Sequence, residues 1–160
     1  MLRSIRLTSL VAVALLTSSL PLRHEAAGWR IGANAGVGSA FGQAYGYLGG
    51  TVGYELAFGL ELDAMGSWWW GNTPGFGKVG PGLTWYLPIP LFRPYIGAYY
   101  AHWFVAGNVP DSDSVGGRVG VLLLSAGPTS LGVGAFYERR LSCSSDCDTW
   151  APEINASITF

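Results

Sequence analysis

Trp150-Ala-Pro-Glu-Ile-Asn-Ala-Ser-Ile-Thr-Phe160 alternates along its whole length. Trp150, Pro152, Ile154, Ala156, Ile158 and Phe160 fall on one face, and Glu153, Asn155, Ser157 and Thr159 on the other. A period of two marks a β-strand with one apolar and one polar face. Phe160 stands inside the periodic pattern, whereas the last residues of a soluble domain are usually polar and frayed. The stretch therefore asks for apolar surroundings on its Ile154 side and polar ones on its Glu153 side.

Composition carries this outward. Of 160 residues, 49% are hydrophobic and only 12% charged, against roughly a quarter charged in an ordinary soluble domain. Beyond the first 20 positions no apolar run approaches the about 18 residues of a helical membrane span. The apolarity is instead dispersed in alternating segments punctuated by 24 glycines, as a membrane-spanning β-barrel requires. A net charge of −1 with no basic stripe excludes a nucleic-acid partner. Residues 1–27 read as a signal peptide: Arg3 and Arg6 form the positive region, Leu10-Val-Ala-Val-Ala-Leu-Leu16 the apolar one, and cleavage falls between about 19 and 27. Residues 28–160 form the barrel. Export brings oxidising conditions, so Cys143 and Cys147 are expected to form a small loop disulfide.

Eight alternating segments follow. The outward stripes are Trp29, Ile31, Ala33, Ala35 and Val37; then Leu48, Val52, Tyr54 and Leu56; then Leu60, Leu62, Ala64, Trp68 and Trp70; then Val79, Leu83, Trp85 and Leu87. Next come Ile96, Ala98, Tyr100 and Phe104; Val115, Val119, Val121 and Leu123; Leu131, Val133, Ala135 and Tyr137; and the terminal stretch. The fourth segment is the weakest, because Pro81 lies within it. Connections after the second, fourth and sixth segments are short or turn-rich. Those after the first, third, fifth and seventh (38–44, 71–77, 107–114 and 141–151) are longer and more polar. That sorting, with an even strand count, puts both chain termini on the short-turn side, with the long loops outside. Aromatic residues sort likewise: Trp29, Phe58, Trp85 and Phe160 to one end, Trp68, Trp70, Phe104, Tyr137 and Trp150 to the other.

Over residues 28–160 the chain resembles the small eight-stranded outer-membrane barrels typified by the OmpA transmembrane domain, OmpX and OmpW, and Arg93-Pro-Tyr-Ile-Gly-Ala-Tyr99 is similar to a strand start in many of them. The resemblance implies an antiparallel up-and-down transmembrane barrel in the outer membrane of a Gram-negative bacterium, in contact with outer-membrane lipid and lipopolysaccharide. It also implies that Phe160 is the signal read by the barrel assembly machinery. The protein is expected to be a monomer or a subunit of an envelope complex.

The inward polar face is the candidate site. It holds Glu55, Glu61, Asp63, Glu138 and Glu153 against Arg30, Lys78, Arg118 and Arg140. Charges buried in a narrow barrel must pair, and an eight-stranded interior is one that side chains just fill. A structural charge network in a plugged lumen follows, while inward glycines such as Gly36, Gly82 and Gly134 leave room for a small cavity. Catalysis is disfavoured: His102, in Tyr100-Ala-His-Trp-Phe104, points to lipid with no serine two residues away. Asp111 with Asp113, and Asp146 with Asp148, form two acidic loop clusters, read as solvated charge in preference to divalent-cation sites. Arg139 and, if the strand twists, Arg140 could face a lipid phosphate. No cofactor is implied. The expected function is a non-enzymatic outer-membrane barrel that supports the envelope and presents surface loops. The alternatives are a narrow channel or small-ligand binder, and a secreted soluble barrel of the lipocalin type.

Overall fold

The computed structural model describes residues 27–89 and 92–160. The expected signal peptide lies outside them, apart from Ala27. Eight strands, β1 (Gly28–Ala40), β2 (Gln43–Glu55), β3 (Leu60–Trp70), β4 (Phe76–Tyr86), β5 (Arg93–Val105), β6 (Ser112–Ala126), β7 (Thr129–Arg140) and β8 (Asp148–Thr159), pair antiparallel with their sequence neighbours. β8 returns to β1 and closes the barrel. Closure leaves no strand edge, so every strand has a ladder partner on both sides, a condition for lying in hydrocarbon. At the seam Trp29 and Phe160 exchange both backbone hydrogen bonds at 2.9 Å.

Every outward stripe of the sequence faces out. Ile31, Val52, Leu62, Val79, Leu83, Ile96, Val119, Val133 and Ile154 are all exposed on the outer surface. Among the described residues nothing covers them, and an apolar belt of that extent is stable only against lipid or protein. Its two rims carry aromatic rings. Trp29, Phe58, Trp85 and Phe160 stand at the end where β1 begins, here the base, and Trp68, Trp70, Phe104, Tyr137 and Trp150 at the opposite, distal end.

The connections depart from the expected sorting. β1 and β2 run on to Ala40 and Gln43 and leave only Phe41-Gly42 between them, where a loop over 38–44 was anticipated. Both residues have positive φ (51° and 68°), the two-residue turn whose twist matches a β-hairpin. Phe41 tolerates it because its ring packs edge-on against Phe76 and Trp103 in the barrel mouth. At the base, 87–92 is as long as 106–111 at the distal end, so the difference between the two ends is modest.

Two prolines and one bulge shape the strands. Pro81 pairs with Ala64 of β3, but on the β5 side pairing stops at Val79↔His102 and resumes at Gly82↔Tyr99. Pro152 behaves alike: it pairs with Ala135, while the β1 side skips from Ala35↔Ile154 to Ser39↔Trp150. A residue without N–H costs one ladder only, which is why β4 survives its proline. In β6 the register slips between Leu122 and Leu124. The bulge turns Leu123 and Leu124 both outward and buries Leu122 in the lumen.

Candidate functional site: the barrel lumen and its distal mouth

The alternation that turns aliphatic residues out turns the charged ones in, and the lumen stacks them in layers. At the base, Arg30 Nη2 donates to Glu55 Oε2 at 2.6 Å, and Arg93 donates to Glu55 Oε1. Arg30 Nε lies 2.8 Å from Glu61 Oε2, a close charge contact whose angle falls short of a hydrogen bond. Both guanidinium groups stand over the Tyr86 ring, 4.4 and 4.7 Å from its centroid. Above them Arg118 Nη2 donates to Asp63 Oδ2 at 2.6 Å and to Thr84 Oγ1 at 2.7 Å. Glu153 accepts from Tyr95 Oη at 2.8 Å and Asn34 Nδ2 at 3.3 Å.

Higher up, the lumen becomes aromatic around one ion pair. Lys78 Nζ donates to Glu138 Oε2 at 2.6 Å, both side chains being almost wholly buried. The same ammonium lies 4.4, 4.9 and 5.0 Å from the ring centroids of Trp69, Trp103 and Phe136. Glu138 also accepts from Trp103 Nε1 at 2.6 Å, from Tyr99 Oη at 3.1 Å and from Ser114 Oγ. Trp103, Phe76, Trp69 and Tyr47 stack in sequence, with centroids 4.6, 5.2 and 4.7 Å apart. These rings and the Lys78–Glu138 pair fill the bore.

Two small cavities interrupt the packing. One, of about 40 Å³, lies among Arg30, Thr51, Tyr95, Arg118, Glu153 and Asn155. It has space for a few waters. The other, of about 20 Å³, lies beside Lys78 and Tyr99. Several inward glycines seat a neighbour's side chain, so the room they leave is confined to such small cavities. A Cβ on Gly120 or Gly134 would overlap Tyr95 Oη, and one on Gly116 the Tyr99 ring.

The candidate charges thus all point inward, Arg118 half-buried and the rest buried, and three groups of them come together: Arg30 with Glu55 and Glu61, Asp63 with Arg118, and Lys78 with Glu138. Glu153 has neutral partners, and Arg140 stands apart at the distal mouth. Arg140 is turned into the barrel, not toward lipid: its guanidinium carbon is 4.2 Å from the Phe41 ring centroid and its Nη2 donates to Asp146 O at 2.6 Å. Arg93 belongs to the network and was not singled out from the sequence, where Pro94 beside it suggested only a strand start. Its signal was its odd number, which shares inward parity with Tyr95.

On the outer surface of the distal rim, Asp113 and Asp148 are strand residues with partners, not loop charge. Asp113 accepts from Tyr100 and lies 2.8 Å from His102 Nδ1. Asp148 accepts from Tyr137 at 2.7 Å, with Arg139 at 3.9 Å. Each aspartate lies at the start of its strand, Asp113 opposite His102 and Asp148 opposite Arg139. Ser112 and Ser114, on either side of Asp113, are buried on the opposite face, so no hydroxyl from them reaches His102. Cys143 and Cys147 are bonded within the loop after β7.

No protein-family model matches the chain and no curated protein matches it in sequence. Among solved structures it is similar to Neisserial surface protein A, at 14% identity and a TM-score of 0.64 over 84% of this chain and 97% of that one. It is similar also to the N-terminal β-barrel domain of Pseudomonas aeruginosa OprF (14%, 0.62, 82% and 97%). The outer membrane enzyme PagL is a third (17%, 0.54, 82% and 99%). At such identities the shared property is architecture. A closed antiparallel barrel, an apolar outer belt, aromatic rims and a charged interior converge with these likenesses, and the chain has the fold of the small eight-stranded outer-membrane β-barrels.

Proposed function

We propose that this protein is a sealed, non-enzymatic barrel of the Gram-negative outer membrane, anchoring surface loops in the envelope without conducting solutes. The observation that carries this is the plug: Lys78 and Glu138 bonded across the bore beneath stacked Trp69, Phe76 and Trp103. Two further arguments agree with it. Residence in a membrane follows from the uncovered aliphatic belt and the aromatic rims. A soluble lipocalin-like barrel would need the reverse arrangement, with an apolar interior and a solvated exterior. The base faces the periplasm and the disulfide loop, the longest of the connections between strands, the exterior, where such barrels carry their longer loops. Lipid and lipopolysaccharide are its surroundings, and the exposed Phe160 is the mark by which assembly machinery would take it up.

A non-enzymatic role is supported by the His102–Asp113 pair having its neighbouring serines on the far side of the sheet. The test is ion current across a planar lipid bilayer containing the purified, folded protein. A sealed lumen gives a baseline indistinguishable from protein-free bilayers. Reproducible unitary steps would overturn the proposal in favour of the narrow-channel alternative.

A further inference from the structure

We propose that the distal mouth of the barrel is a binding site for a small oxyanion, a phosphate-type group, held on Arg140. The reasoning begins with charge. Inside the barrel, Arg30, Lys78, Arg93 and Arg118 each have a carboxylate within ion-pair distance. Among the described residues Arg140 has none. The residue is about nine-tenths buried, and its guanidinium lies against the rings of Phe41 and Trp103, 4.2 and 5.5 Å from their centroids. One nitrogen is used by the Asp146 carbonyl, while Nε is buried without a partner. A buried guanidinium N–H left unmatched is costly, and such groups are normally matched by an acceptor.

Three hydroxyls add to it. Tyr45 Oη, Ser112 Oγ and Thr149 Oγ1 are buried without partners, each in a residue at least nine-tenths buried. They come from three further strands at this same end. Ser112 pairs with Trp103, Thr149 with Glu138, and Arg140 with Ser114, so the ladders place them around one mouth. Tyr45 joins from β2, its ring 5.2 Å from Phe76. All four unmatched groups can donate, and no buried carboxylate other than Glu138, already taken by Lys78, is at this level. Donors around a guanidinium fork suit a tetrahedral oxyanion. The disulfide-closed loop lies over the site as a strap, tied down by Arg140 N to Cys147 O and Leu141 N to Asp113 O at 2.9 and 2.8 Å. Besides Glu138, the exposed Asp146 carboxylate above Gly42 is an acidic neighbour of Arg140 with which an entering anion would compete.

The test is an NMR titration of the arginine Nε–H resonances of the folded protein in phosphate-free detergent micelles, using inorganic phosphate. Folding of each variant is verified by boiling-dependent gel mobility. The expected result is a saturable shift of one resonance, absent from Arg140→Lys, produced by phosphate or sulfate but not by chloride at matched ionic strength. Arg140→Gln should weaken binding at least tenfold, followed by the indole N–H signals, and Thr149→Val several-fold. Arg139→Gln, on the outer rim, should leave it unchanged. A glucosamine phosphate that binds more tightly than inorganic phosphate would identify a saccharide-borne group as the source, whereas equal affinity would identify the free ion. No saturable shift, or binding unaffected by Arg140→Gln, would overturn the proposal and leave the mouth holding only water.

Discussion

Replacing Lys78 by Met removes the ammonium while keeping most of the stem under Trp69, Trp103 and Phe136. Glu138 then remains in a site with almost no solvent access. Breaking a buried pair by removing one partner typically costs about 3–5 kcal/mol, because the other charge stays desolvated and unpaired. Donors from Trp103, Tyr99 and Ser114 still reach the carboxylate, so the lower end, about 3 kcal/mol, is expected, or roughly two decades in the unfolding equilibrium. The double variant Lys78→Met/Glu138→Gln removes both charges and keeps a side chain that accepts from the indole. It should return to within about 1 kcal/mol of the parent, since an intact buried pair contributes little beyond a neutral, well-packed replacement. The assay is reversible urea unfolding in lipid vesicles followed by tryptophan fluorescence. A loss under about 1 kcal/mol for Lys78→Met, or a double variant as unstable as the single, would refute the reasoning.

Three further perturbations test other parts of the structure. Val119→Arg, outward at the middle of β6, should cost about 2–4 kcal/mol of membrane insertion, and Leu141→Arg at the distal rim at most about 1 kcal/mol; equal costs in the same unfolding assay would place the lipid boundary wrongly. Gly80→Ala should destabilise the β4–β5 seam by about 1–3 kcal/mol or block folding, because a Cβ there would overlap the Tyr100 carbonyl; a folded variant with an unchanged unfolding midpoint in the same assay would contradict that close approach. Opening the Cys143–Cys147 ring, whose cysteines are only 4 positions apart, should lower stability by no more than about 2 kcal/mol and leave bilayer conductance at baseline. A larger loss would make the loop part of the folding core.

The faces of the strands were legible because lipid on one side and charge on the other give the strongest possible period-two contrast. Glu61, Asp63 and Lys78 could be assigned inward from parity alone. What escaped was whatever breaks the period or depends on three dimensions. The β6 bulge buries Leu122 between apolar neighbours that look identical to it in sequence. Phe41 and Gly42 resemble a flexible loop until the phenyl ring is seen to cap the mouth. The inward glycines suggested space, yet Tyr95 and Tyr99 lie over Gly120 and Gly116, their partners on the neighbouring strand, and Tyr95 reaches on to Gly134, a pairing that is visible only once the register is known. Arg140 was identified as an inward candidate, but its separation from every carboxylate pairing emerges only once the register is known.

The central claim is a closed barrel whose apolar face meets lipid. It is tested most directly by electrophoretic mobility of the protein from outer-membrane fractions in mild SDS, unboiled and boiled, after carbonate extraction. A carbonate-resistant band that migrates differently until boiled is the predicted result. A carbonate-soluble chain whose mobility is unchanged by boiling would contradict it, and would require the exposed aliphatic belt to be covered by something other than a membrane.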